Sequence, residues 1–160
     1  MEFRVYKVPM PDNANLIVGQ THFIKTAEDL YEILVASVPG IKFGLAFCEA
    51  SGPCLVRSEG NDPELKRLAA QSAFDIGAGH TFVVFIKNAY PINVLNAVRN
   101  CPEVCSIFCA TSNPTQLVIA ETEQGRGIMG AIDGFVPKRV ETEDEVKERK
   151  QFLRKIGYKL

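Results

Sequence analysis

Two histidines, His22 and His80, and one arginine set between glycines, Arg126, are the residues of this 160-residue chain whose chemistry stands out first. His80 closes the run Gly77-Ala78-Gly79-His80. An imidazole has a reference pKa of about 6.5, so at pH 7 it offers an unprotonated nitrogen as nucleophile or base. Gly77 and Gly79 free the backbone to turn sharply, and its N–H groups could hold an anion such as phosphate against that nitrogen. The same residues also make an ordinary helix end followed by a histidine satisfied at a strand mouth. Both readings stay open.

The second constellation is Glu121-Thr122-Glu123-Gln124-Gly125-Arg126-Gly127, with Asp133-Gly134 one short strand later. Gly125 and Gly127 permit close approach of a ligand, and the Arg126 guanidinium supplies a bidentate donor for phosphate. Glu121, Glu123 and Asp133 add carboxylates able to accept ribose hydroxyls or hold a divalent cation. Turn chemistry alone also yields a hairpin decorated in this way. Asn93, Asn96 and Asn100 recur at i, i+3 and i+7, a stripe of a poor interior helix former. Their amides could read the edge of a base, and surface polarity accounts for them equally well. His22 and Lys25 precede a helix start and form a second candidate anion site, although a plain strand histidine is the simpler reading.

Other chemistries are absent from the pattern. No Gly-x-x-x-x-Gly-Lys-Ser/Thr, no Gly-x-Gly-x-x-Gly and no protein-kinase motif set occurs. Of five cysteines, Cys48, Cys105 and Cys109 lie in hydrophobic runs and read as small buried thiols of a reducing compartment. Cys101 and Cys105 lack histidines at zinc spacing, so no structural metal is expected. A net charge of -1 and a pI near 6.1 leave no electrostatic footprint for nucleic acid or anionic lipid. The N-terminus MEFRVYKVPM is not a secretion signal, which implies a cytoplasmic protein, and runs such as 82–86 are too short to cross a bilayer.

The elements that must position these residues follow from patterning. The length suits one domain over 1–160, and the 46% hydrophobic fraction suffices for a core. Glu2 to Val8 alternates as a strand, 9–14 is a turn, and 15–19 and 22–24 extend. Thr26 can cap a helix that ends before Pro39-Gly40, with Leu30, Tyr31, Leu34, Val35 and Val38 on one face. Strands are predicted over 41–47 and 54–57. Asp62-Pro63 starts a second helix and Gly77 stops it. The apolar run 81–86 predicts a covered central strand. Pro91 opens a helix to about Asn100. Runs 105–110 and 116–120 predict a hairpin, 128–132 a glycine-interrupted strand, and 143–157 a charged helix begun by a Thr142–Glu145 capping box. Its mixed charges read as a solvated face. Helices and strands interleave irregularly, so the expected class is α+β with a mixed or antiparallel sheet and three to four helices. So much apolar content on a small domain also predicts self-association.

Several stretches together carry a family resemblance. They are His-Phe-Ile-Lys-Thr-x-Glu-Asp-Leu (22–30), Gly-Ala-Gly-His-Thr-Phe (77–82) and Pro-Ile-Asn-Val-Leu-Asn (91–96). Ile-Phe-Cys-Ala-Thr-x-Asn-Pro (107–114) and Glu-Thr-Glu-x-Gly-Arg-Gly-Ile-x-Gly (121–130), followed by Asp-Gly (133–134), complete the set. The chain resembles the adenosine-specific kinase family of small prokaryotic proteins, many from thermophiles. The resemblance implies an α+β fold, a homo-oligomer with a trimer favoured, recognition of adenosine and AMP, and a histidine able to carry phosphate. By motif, His80 is the first choice for that histidine and His22 the alternative. The residues themselves name no cofactor; a nucleotide phosphate donor with Mg is the one such a kinase implies.

Overall fold

The computed structural model describes all residues, 1–160. In chain order the elements are β1 (Glu2–Lys7), β2 (Asn15–Thr21), α1 (Thr26–Ser37), β3 (Lys42–Cys48), β4 (Val56–Gly60) and α2 (Pro63–Ile76). They continue with β5 (Thr81–Lys87), α3 (Pro91–Arg99), β6 (Val104–Thr111), β7 (Thr115–Glu121), β8 (Arg126–Asp133) and α4 (Glu143–Lys155). The strands form two antiparallel sheets, one of five strands ordered β4-β3-β5-β2-β6 and one of three ordered β1-β7-β8. The class is α+β. No helix is long and apolar enough to cross a membrane.

β5 lies at the centre of the larger sheet because both of its faces are apolar. Phe82, Val84 and Ile86 point to one side, where Leu30 and Leu34 of α1 and Val94 and Val98 of α3 cover them. Val83 and Phe85 point to the other side, against Leu65, Ala69 and Ala73 of α2 and Leu117 and Ile119 of β7. The five-stranded sheet is thus sandwiched, with α1 and α3 on one face and α2 with the smaller sheet on the other. α2 is bounded by local chemistry. The Asp62 side chain accepts from the N–H groups of Glu64 and Leu65, Pro63 sits where its missing N–H costs nothing, and Gly77 ends the helix at φ 62°.

The structure departs from the sequence pattern in several places. β6 and β7 do not form a hairpin: β6 pairs with β2 in the larger sheet, and β7 pairs with β1 and β8 in the smaller one. The loop at 112–114 is instead the crossing between sheets. Thr26 does not cap α1, since its hydroxyl bonds to Thr21 Oγ1 and to the Phe23 carbonyl, and Lys25 takes the cap position. Residues 22–24, expected to extend, bend and turn instead, and Val35 of α1 faces solvent. Of the cysteines, Cys48 is buried, Cys109 is half-buried and Cys105 is exposed.

Candidate functional site

At the C-terminal end of α2 the smaller sheet stands away from the turn between β3 and β4, and the gap is a cleft of about 1080 Å³. Arg126, at the start of β8, is one of the charged groups that line it. Its Nε forms an ion pair with Glu121 Oε1 at 3.0 Å, and Arg4 Nε lies 3.6 Å from the other carboxylate oxygen. Arg4 Nη2 donates to the Asp75 carbonyl at 3.0 Å, where the negative end of α2 favours a cation. Held through Nε, Arg126 keeps its terminal nitrogens for something else. One of them, Nη1, lies 2.6 Å from where a β-carbon on Gly77 would be. Glycine at 77 therefore does two jobs: it adopts the left-handed turn that ends α2, and it leaves room for the guanidinium. Ala78 and Arg126 form a parallel bridge, which ties the two glycine-rich segments together.

The rest of the lining is mixed. Gly79, Gly125 and Gly127 border the cleft, as do Phe74 and Leu55, which are 68% and 49% exposed. The Asp75 carboxylate accepts from Gln71 Nε2 at 2.8 Å and, at a long 3.5 Å, from the Tyr6 hydroxyl. Burial pushes the Tyr6 phenol up from its usual value, with the neighbouring Asp75 charge adding to the effect. Glu49 is committed to the β3–β4 turn. It accepts from the Leu55 N–H at 2.8 Å and from Arg57 at 2.7 Å, and those donors hold its carboxyl below the usual range.

The expected site residues divide accordingly. Gly77, Gly79, Gly125, Arg126 and Gly127 come together at the cleft, with Glu121 directly behind the arginine. His80 follows Gly79 but does not line the cleft. Its main chain is held at φ 60°, donating to the Cys48 carbonyl and accepting from Thr21 N–H. Its half-buried ring stacks on Phe47, with centroids 5.8 Å apart. By strand alternation Phe47 shares the face of Phe43 and Leu45, the side covered by α1 and α3. Glu123 is an exposed loop residue. Asp133 is at the far end of β8 from Arg126, where it accepts from Thr111 at 2.7 Å and Asn113 at 3.1 Å and secures the 112–114 crossing. Asn93 caps α3 by accepting from the Tyr90 N–H at 2.9 Å, and Asn96 is exposed on the same helix, across the larger sheet from the cleft.

His22 belongs to a separate cluster beside α1. Its Nδ1 is 3.0 Å from the Glu103 carbonyl oxygen. The Glu103 side chain is 5% exposed and accepts from Cys101 Sγ at 2.9 Å and Lys25 Nζ at 2.9 Å. Asp29, Cys101 and Glu103 bring their ligand atoms within 4.8 Å of one another, and the Lys25 ammonium supplies the positive charge there by pairing with both carboxylates. The Cys101 donor first, then Lys25, draws the Glu103 pKa from 4.5 down to about 2, while burial pushes Cys101 up to about 11. A carboxyl depressed on folding contributes stability that is complete above its ordinary pKa and is lost as pH falls through the folded one. Glu103→Gln is therefore expected to lower Tm most above pH 4.5, with the gap from the natural protein closing towards pH 2. Thermal melts across that range check this, and a gap independent of pH would refute it.

Known proteins sharpen this picture. A family model described as adenosine specific kinase matches residues 6–159. The chain belongs to the adenosine-specific kinase family. The crystal structure of PH1918 protein from Pyrococcus horikoshii OT3 is similar at 48% identity, covering 99% of this chain and 98% of that one with a TM-score of 0.95. No curated protein matches. The family match takes in every cleft residue named above except Arg4.

Arg4, Tyr6, Phe74 and Asp75 are among the cleft residues that the sequence pattern did not single out. Arg4 and Tyr6 had one available signal, since they alternate with Phe3 and Val5 and so share a face. Nothing local marks Phe74 or Asp75, which occupy the last turn of an ordinary amphipathic helix.

Proposed function

We propose that the cleft binds adenosine or AMP and that the protein is a phosphotransferase acting on adenosine, with His80 as the phosphoryl carrier. The observation that supports this most is the Arg126 guanidinium, paired with Glu121 and set beside Gly77 with its terminal nitrogens unspent at the cleft wall. Such a fork suits phosphoryl oxygens, whose neutralisation is the main electrostatic task in phosphoryl transfer. Exposed Phe74 and Leu55 offer an apolar surface for a base, and the Asp75 carboxylate, only partly satisfied, can accept a ribose hydroxyl.

In this mechanism the His80 ring leaves its stack on Phe47 and turns into the cleft. There its unprotonated nitrogen attacks the terminal phosphorus of a nucleotide donor, and the donor's bridging P–O bond breaks to release the shortened nucleotide. The adenosine hydroxyl then attacks the phosphohistidine, the P–N bond breaks and neutral imidazole returns as the hydroxyl proton departs. Splitting the transfer in this way replaces one hard step with two easier ones. Homo-oligomeric assembly accompanies the reading. To test it, adenosine is offered with a panel of phosphate donors and AMP is measured. AMP from the natural protein, reduced at least a hundredfold in His80→Ala, is expected; no donor giving product above that control sinks the transfer step.

The stacking of the His80 ring on Phe47, away from the cleft, favours a second reading: a protein that binds adenosine or AMP without turning it over and signals occupancy to a partner. Calorimetry with adenosine separates the two, because tight binding with no turnover under any donor fits only the second.

A further inference from the structure

We propose that the C-terminal arm, residues 134–160, packs on a second copy of this chain, across the outer face of its three-stranded sheet. Beyond Gly134, whose N–H donates to the Pro114 carbonyl, the arm is largely unpartnered within its own chain. Phe135, Val136 and Val140 are 87%, 87% and 89% exposed, and α4 has no buried residue and no extensive packing against another element. A free helix of this length is marginal in water and depends on burying an apolar face. Val146, Leu153 and Ile156 form such a face at i, i+7 and i+10, with Phe152 beside it. The charged side needs nothing further: Arg139 pairs with Glu145, Arg149 with Glu141 and Lys147 with Asp144. What remains unsatisfied is the apolar stripe.

A matching surface lies on the smaller sheet. Its inner face, with Leu117 and Ile119, is sealed against the core. Its outer face shows Phe3 and Val5 of β1 and Met129 and Ile132 of β8, all between 49% and 63% exposed. The register makes them neighbours, since Val5 faces Val118, Val118 faces Gly130 and Gln116 faces Ile132. Contiguous exposed apolar area of this kind marks an interaction surface. Gly130 adds an independent sign. A β-carbon there would meet nothing within 4 Å, so no contact inside the chain requires glycine at that position. Glycine within a strand weakens it and commonly marks a place where another backbone approaches closely.

The occupant is a second copy because both unsatisfied surfaces, arm and sheet face, are on the same chain. Exchange between copies satisfies both on every copy, and symmetric closure leaves neither exposed. The arm also has the size that a standard interface takes from each side, roughly 20–30 residues. One consequence reaches the cleft: β1 and β8, which carry Arg4 and Arg126, would be braced from behind by the neighbour's arm.

The test uses the full chain in analytical ultracentrifugation and amide hydrogen exchange over a dilution series. Self-association is expected at micromolar concentration, with α4 amides protected in the assembly and exchanging faster on dilution. Ile132→Asp on the sheet and Phe152→Asp on the arm both alter exposed side chains and should leave the fold intact. Each should weaken association at least tenfold and expose α4. A monomer at all concentrations overturns the proposal. So does α4 protection that ignores dilution, which would mean the arm folds onto its own chain. Association that withstands either substitution also overturns it, because the copies would then meet elsewhere.

Discussion

Arg126→Ala is expected to weaken AMP binding about 10- to 150-fold while changing adenosine binding less than threefold, measured by calorimetry. The range follows from hydrogen bonds to a charged group, each worth roughly 1.5–3 kcal/mol. The selectivity follows from geometry. The Arg126 Nε pairs with Glu121 at 3.0 Å, which leaves its terminal nitrogens, beside Gly77, for a phosphate. Adenosine lacks that phosphate and loses no such bond. Arg126→Lys should not restore the affinity, because one ammonium cannot hold Glu121 and present a two-pronged donor at once. Equal loss for both ligands would place the guanidinium elsewhere than at a phosphate.

Gly44→Ala is expected to destabilise the fold by about 3 kcal/mol or more, a fall in Tm of roughly 6–12 °C for a chain of this size. Gly44, on β3, lies directly under the first turn of α2. A β-carbon there would stand 2.1 Å from the Leu65 carbonyl carbon and 2.1 Å from the Lys66 nitrogen. Those atoms are helix backbone, so no side-chain rotation relieves the clash and α2 must lift from the sheet. Because α2 also carries Phe74, Asp75 and Gly77, ligand binding should decline with stability. Gly52→Ala is the control. A β-carbon there meets nothing within 4 Å, and only its φ of 63° is penalised, at about 1–2 kcal/mol. Thermal unfolding of the two variants decides the matter; similar losses would mean that β3 and α2 tolerate separation.

What the sequence by itself determined was whatever a few adjacent residues decide. Asp62-Pro63 and Gly77 bound α2 through bonds to neighbours two to four residues away, and Thr142 with Glu145 starts α4 in the same manner. The uninterrupted apolar run of β5 required two covered faces whatever the neighbours were, so its central place could be read directly. The family, and with it the α+β class, was legible for a related reason: many short motifs coincide along one chain.

The tertiary structure alone decided which strands pair and which side chains converge. Runs 105–110 and 116–120 look like a hairpin because they are adjacent, yet β6 completes the larger sheet beside β2 while β7 inserts between β1 and β8. Pairing depends on burial of distant faces, which periodicity does not encode. Thr26 has the right type for a helix cap, but the Thr21 hydroxyl reaches its oxygen first. The cleft shows the same division. The glycines at 77 and 125–127 were visible as permissive backbone, and Arg126 as an available cation. Only folding brought Arg4 from far along the chain to the Asp75 carbonyl beside Gly77, sent Asp133 to the opposite end of β8, and turned the His80 ring onto Phe47. A chain's local chemistry sets each residue's capacity, and long-range packing sets its company.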